Sequence, residues 1–145
     1  MSVKSFFTDL QQKTILEAIE KAEKNTSGEI RVHLESKCKI DQTKRAIEVF
    51  EKLQMHKTEL RNGVLFYLAT EDKKFAVIGD TGINNVVPTN FWDNVKTGII
   101  NNFKSGKFAD GLIEGILLTG EKLQSHFPHQ INDINELSND ISFDE

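Results

Sequence analysis

Val64-Leu65-Phe66-Tyr67-Leu68-Ala69 is apolar at every position. A strand with one wet face alternates apolar and polar residues, so an uninterrupted run predicts a strand covered on both faces, the centre of a sheet with helices above and below it. Downstream, Glu71-Asp72-Lys73-Lys74 is a polar turn and Phe75-Ala76-Val77-Ile78 a second apolar run, closed by Gly79-Asp80-Thr81-Gly82. The pair reads as an antiparallel hairpin. Upstream, Ile30, Val32 and Leu34 alternate with Arg31, His33 and Glu35, a strand with one strongly apolar face. Between that strand and the central run, Asp41 can cap a helix whose stripe is Ala46, Ile47, Phe50 and Leu53. A helical connection makes the two strands parallel, with a right-handed crossover.

The flanks complete the layers. Thr8 and Gln11 fit a capping box, and Leu10, Ile15, Leu16, Ile19 and Ala22 follow at helical spacing to about Asn25. After the hairpin, Pro88 and Thr89 can start a helix with Phe91, Trp92, Val95, Ile99 and Phe103 inward. Another runs over about 109–124, with Leu112, Ile113, Ile116, Leu117 and Leu123 as its stripe. Its Gly111, Gly115 and Gly120 each cost about 1 kcal/mol relative to Ala in a helix, which points to close packing against a neighbour. The order α-β-α-β-β-α-α predicts an α/β fold, a three-layer α/β/α sandwich with a small mixed sheet. Residues 1–130 read as a single domain. Residues 131–145, sparse in large apolar side chains, read as an acidic and partly disordered C-terminal tail.

Composition narrows the function. Of 145 residues, 38% are hydrophobic and 28% charged, ordinary for one globular domain. The net charge is −4, the wrong sign for a nucleic-acid binder. The tail holds five of the acids and no Lys or Arg, leaving 18 basic against 17 acidic residues before it. Cys38 is the single cysteine and reads as an incidental thiol. No run is long and apolar enough for a signal-peptide core or a membrane span, so a cytoplasmic monomer is the simplest expectation. Neither a Walker loop nor a dinucleotide fingerprint is present, so no nucleotide cofactor is expected. His126 and His129 bracket a proline and read as surface imidazoles.

Topology gathers the candidate site. With the hairpin antiparallel and the first strand parallel, one end of the sheet collects Ser27, Gly28, Glu29, Arg61, Asn62, Gly63, Asp80, Thr81, Gly82 and Asn84. Oxygen-bearing side chains beside glycine backbone suit a hard cation, Ca²⁺ ahead of Mg²⁺. Glu29, Asn62, Asp80 and Thr81 are the expected ligands, and the remainder line the pocket. The same residues also suit ordinary turn hydrogen bonding, with Glu29 paired to an arginine.

Thr26-Ser27-Gly28-Glu29-Ile30-Arg31-Val32, Lys57-Thr58 with Arg61-Asn62-Gly63-Val64-Leu65, Ile78-Gly79-Asp80-Thr81-Gly82-Ile83, Trp92 and Phe103-Lys104-Ser105-Gly106-Lys107-Phe108 together resemble the TPM-domain family. The resemblance runs from about Thr8 to Phe127. It implies an α/β/α sandwich and, through a plant thylakoid member, acid phosphatase activity and calcium, while bacterial members are mostly of unassigned function. Many members read Gly-aromatic-Gly-Leu-Glu where this chain has Asp80-Thr81-Gly82-Ile83-Asn84, with the carboxylate at the start of the motif instead of its end. The leader, membrane segment and Gly-rich tail of many members have no counterpart in the sequence. Three readings follow. The first is a cation-binding module with an accessory role and no strong catalysis. The second is a metal-dependent acid phosphatase with Arg61 on the phosphate. The third is an adaptor that engages a protein partner through the acidic tail.

Overall fold

The computed structural model describes residues 3–129 and 137–144. Four strands, β1 (Glu29–Glu35), β2 (Gly63–Ala69), β3 (Lys74–Gly79) and β4 (Ser142–Phe143), form one mixed sheet in the order β3-β2-β1-β4. β2 pairs in parallel with β1 and antiparallel with β3, as the two apolar runs and the helical crossover require. Every residue of β2 is buried, the physical content of its unbroken apolar run.

Among the described residues, five α-helices flank the sheet: α1 (Asp9–Glu23), α2 (Gln42–Lys52), the single turn α3 (Thr81–Asn84), α4 (Asp93–Lys104) and α5 (Phe108–Leu123). α1 starts at the expected capping box, Thr8 Oγ1 accepting from the Gln11 N–H while Gln11 Oε1 accepts from the Thr8 N–H. α2 starts at Asp41, whose carboxylate takes the N–H groups of Thr43 and Lys44. α4 begins at Asp93 rather than near Pro88, because residues 88–92 form turns that seat Phe91 in the core. α1, α4 and α5 pack on the face of Ile30, Val32, Leu34, Val64, Phe66 and Leu68, and α2 covers the face of Leu65, Tyr67 and Ala69. The α5 glycines are sites of close approach. A β-carbon at Gly115 would meet Ile99 Cδ1 at 2.5 Å, and one at Gly120 would meet the Ala22 backbone at 2.8 Å.

Of the segment read from sequence as tail, residues 131–136 and 145 lie outside the described residues. The rest contributes β4, where Ser142 and Phe143 pair in parallel with His33 and Leu34. β1 is therefore an interior strand. Its odd residues are not a solvated face: Glu29, His33 and Glu35 are all buried, each in contact with a polar group of residues 137–144 or with α2.

Candidate functional site

The register places Glu29 opposite Gly63, and Asp80 extends the β2–β3 ladder by donating its N–H to Gly63 O at 2.9 Å. Glu29, Gly63 and Asp80 thus form one row across three strands, on the face covered by α2. Two strand spacings separate Glu29 from Asp80, roughly 10 Å between α-carbons. Met55 and Phe50 sit over the side-chain-free Gly63 between them; a β-carbon there would meet Met55 O at 3.4 Å and the Phe50 ring at 3.6 Å. The residues expected to form one site are therefore brought to the same sheet edge as two groups.

The first group is a clasp. The Asp80 carboxylate accepts from Arg61 Nε at 2.7 Å, from Arg61 Nη2 at 2.9 Å and from the Thr81 N–H at 2.7 Å, so it caps α3 and holds a bidentate guanidinium together. The loop before β2 turns through Arg61 at φ 51°, and Gly82 donates its N–H to Arg61 O at 2.9 Å. Only glycine fits at 82, since a β-carbon would lie 2.1 Å from Leu60 O. The Asn84 side chain donates to Gly79 O at 2.9 Å. Asp80 is 5% exposed, whereas 45% of the Arg61 side chain meets solvent. Arg61 and Asp80 border a cleft of about 650 Å³ whose other walls include Ile47, Phe50, Glu51 and His56.

The second group is built around Asn62 and Glu29. Asn62 is 2% exposed and its amide donates to Ser27 O at 3.2 Å. Glu29 takes the Leu137 N–H at 2.7 Å. Gly28 donates its N–H to Thr26 Oγ1 at 3.1 Å, and the Thr26 hydroxyl in turn donates to Phe127 O. Beside this group Glu23 accepts the Ile30 N–H, and burial, reinforced by the charge of Glu29, pushes its carboxyl up to about 7. A carboxyl raised in the folded state above its usual 4.5 favours folding when protonated, so its contribution is complete below pH 4.5 and is lost as pH rises through 7. Glu23→Gln keeps the acceptor oxygen without the charge. Urea denaturation should find this variant about 1–2 kcal/mol more stable than the parent at pH 8, after discounting for its partial exposure, with the gain gone at pH 4.

At the opposite end of the sheet, the structure assembles a polar cluster that the sequence did not reveal. His33 is 1% exposed; its Nδ1 meets Ser142 Oγ at 2.9 Å, while Nε2 makes no hydrogen bond and faces Asp144 Oδ2 at 3.4 Å and Glu35 Oε1 at 3.8 Å. Arg45 grips Glu35 through Nε and Nη2, both at 2.9 Å, and the Tyr67 hydroxyl donates to Glu35 Oε2. Lys52 Nζ lies 3.0 and 2.9 Å from the Asp144 oxygens. Burial alone would raise the Glu35 carboxyl, but the Arg45 and Tyr67 hydrogen bonds outweigh it and hold the carboxyl below its usual range. Burial lowers the His33 pKa against the pull of Asp144 and Glu35. Among the described residues, His33, Glu35 and Asp144 are the group of three metal-type ligands whose donor atoms all lie within 4.8 Å of one another. The sequence signal was the polar alternation of β1, but nothing local announces that Asp144 returns to it.

The sequence pattern of the TPM domain matches residues 3–122, most of the chain. The chain belongs to the TPM-domain family. The NMR structure of BA42 protein from the psychrophilic bacterium Bizionia argentinensis is 49% identical to this TPM protein, with a TM-score of 0.93 over 99% of both chains. An N-terminal domain from P. gingivalis, 19% identical, covers 86% of this chain and 81% of its own with a TM-score of 0.69. The N-terminal domain of cg2496 from Corynebacterium glutamicum, 11% identical, covers 97% and 82% with a TM-score of 0.67. At such identities these last two share the fold alone. No curated protein matches the chain. Among the described residues, no helix of this TPM protein is long and apolar enough to cross a membrane.

Proposed function

We propose that this TPM protein is a binding module that takes a divalent cation, Ca²⁺ in preference to Mg²⁺, at the Asp80 end of its sheet. One observation carries the reading: a buried carboxylate fixed at a cleft is neutralised by an arginine whose side chain is nearly half exposed. An incoming dication has only to turn out that arginine, which regains hydration, while Asp80 stays held by the Thr81 N–H. The donor set is all oxygen, as a hard cation prefers, with Thr81 and Asn84 beside Asp80. Glu29 lies across Met55 and joins only if that turn moves, and the Asn62 side chain is held on Ser27 O. Turning out Arg61 changes the wall of the 650 Å³ cleft, so the cation controls what the cleft presents to a partner.

Calorimetric titration with CaCl₂ should give one site in the parent protein and none in Asp80→Asn, with Arg61→Gln binding more tightly because the competing guanidinium is gone. Equal binding by the parent and Asp80→Asn would overturn the assignment. The phosphatase reading has one observation in its favour, the same Arg61, whose guanidinium, once released, can hold phosphate oxygens in bidentate fashion beside a cation. Cation-dependent turnover of a simple aryl phosphate, lost in Arg61→Gln, would place it ahead of the accessory role. The adaptor reading loses one charge it would use, since the Asp144 carboxylate is engaged by Lys52 and Arg45.

A further inference from the structure

We propose a second metal site, independent of the Asp80 site and of different chemistry: His33, Glu35 and Asp144 bind a zinc-type divalent transition-metal ion that fastens β4 to β1. The geometry is close to what such an ion requires. Ligand atoms bound at about 2.0–2.1 Å in a tetrahedron lie roughly 3.3 Å apart. Nε2 of His33 stands 3.4 Å from Asp144 Oδ2 and 3.8 Å from Glu35 Oε1.

The imidazole decides both that this is a site and what kind of ion it takes. A nitrogen on a residue 1% exposed, with no hydrogen bond and with two carboxylates before it, is an unmet ligand position. When Nδ1–H donates to Ser142 Oγ, Nε2 carries the lone pair and points it at the carboxylates, the outer-shell arrangement that fixes a metal-binding tautomer. A nitrogen donor with two carboxylates suits zinc and its neighbours, whereas Ca²⁺ and Mg²⁺ prefer oxygen alone.

The present cations mark how the exchange proceeds. Lys52, with 56% of its side chain exposed, holds Asp144 and can leave for water. Arg45 Nη2, now 2.9 Å from Glu35 Oε1 and 3.4 Å from Asp144 Oδ2, must also swing aside to free both oxygens, while Arg45 Nε and the Tyr67 hydroxyl keep Glu35 Oε2. Replacing one ammonium by a dication adds a single unit of charge to a cluster that holds two carboxylates. Because Asp144 directly follows β4 while His33 and Glu35 lie on β1, the ion would fasten the C-terminal end of the described chain to the sheet interior.

The test is a ZnCl₂ titration of the intact protein in a non-chelating buffer, read through the imidazole nitrogens by NMR and through affinity by calorimetry. At one equivalent, His33 Nε2 should shift, with His56, His126 and His129 unmoved. Asp144→Asn should weaken binding about tenfold or more. Lys52→Gln, which removes the competing ammonium, should tighten it, and Asp80→Asn should leave it unchanged. Shifts confined to the other histidines, or the same affinity in the parent and Asp144→Asn, would overturn the proposal. Asp144 lies near the chain end and is partly exposed, so its variant folds whatever becomes of substitutions at His33.

Discussion

Glu35→Ala should lower the free energy of unfolding by about 3–5 kcal/mol, the cost of leaving a buried charge network without its centre. Glu35 is 4% exposed and accepts both the forked contact of Arg45 and the hydroxyl of the fully buried Tyr67. Arg45, a quarter exposed, can turn to water, which holds the loss toward the lower end of that range. Tyr67 cannot, and its hydroxyl, left with only the weakly bonding Cys38 thiol, accounts for about 1–3 kcal/mol. Tyr67→Phe removes the hydroxyl cleanly and should cost only about 1 kcal/mol. The double variant should then lose less than the sum of the two, and urea denaturation of the four proteins reads the coupling directly. Strict additivity would mean that the Tyr67–Glu35 contact contributes nothing.

Gly82→Val should cost about 3 kcal/mol, at the upper end of overpacking penalties, because the atom it meets is backbone. A β-carbon at 82 would stand 2.1 Å from Leu60 O and 2.6 Å from Arg61 O, so either the loop before β2 or the α3 turn must move. Movement of either one breaks the Gly82 N–H bond to Arg61 O and displaces the guanidinium from Asp80. Gly98 supplies the contrast. Nothing lies within 4 Å of its β-position, so Gly98→Ala in α4 should stabilise by about 0.8–1 kcal/mol through helix propensity. Thermal unfolding that left Gly82→Val as stable as the parent would show that Gly82 is not a point of backbone contact.

How much was legible in advance follows from where each signal resides. The sheet core was readable because the Val64 to Ala69 run and the alternation of β1 are local patterns, and burial enforces them. The caps at Thr8 and Asp41 were readable for the same reason: both bonds close within three residues. The convergence of Arg61, Asn62, Asp80 and Glu29 followed from strand direction alone. What strand direction could not supply was the split into two groups, because it follows from which partner each side chain takes, Asp80 for Arg61, Ser27 O for Asn62 and the Leu137 N–H for Glu29. β4 was missed because two residues make no periodicity and the surrounding acids read as solvated. Its partner contacts, Leu137 with Glu29, Asp140 with Arg31 and Ser142 with His33, each span more than 100 residues. For that reason His33 and Glu35 looked like an outward polar face and turned out to be buried.

The central claim is that a divalent cation takes Asp80 from Arg61, and the side-chain Nε–H of Arg61 reports on it directly. In the metal-free protein that proton is held on Asp80 at 2.7 Å and should give a resolved, slowly exchanging NMR signal. Adding CaCl₂ should move that signal toward the position of a solvated arginine and speed its exchange, while the Thr81 and Gly82 amides shift in step. An Arg61 signal that keeps its position and its protection at saturating Ca²⁺ would contradict the claim and leave the Asp80–Arg61 pair a structural clasp.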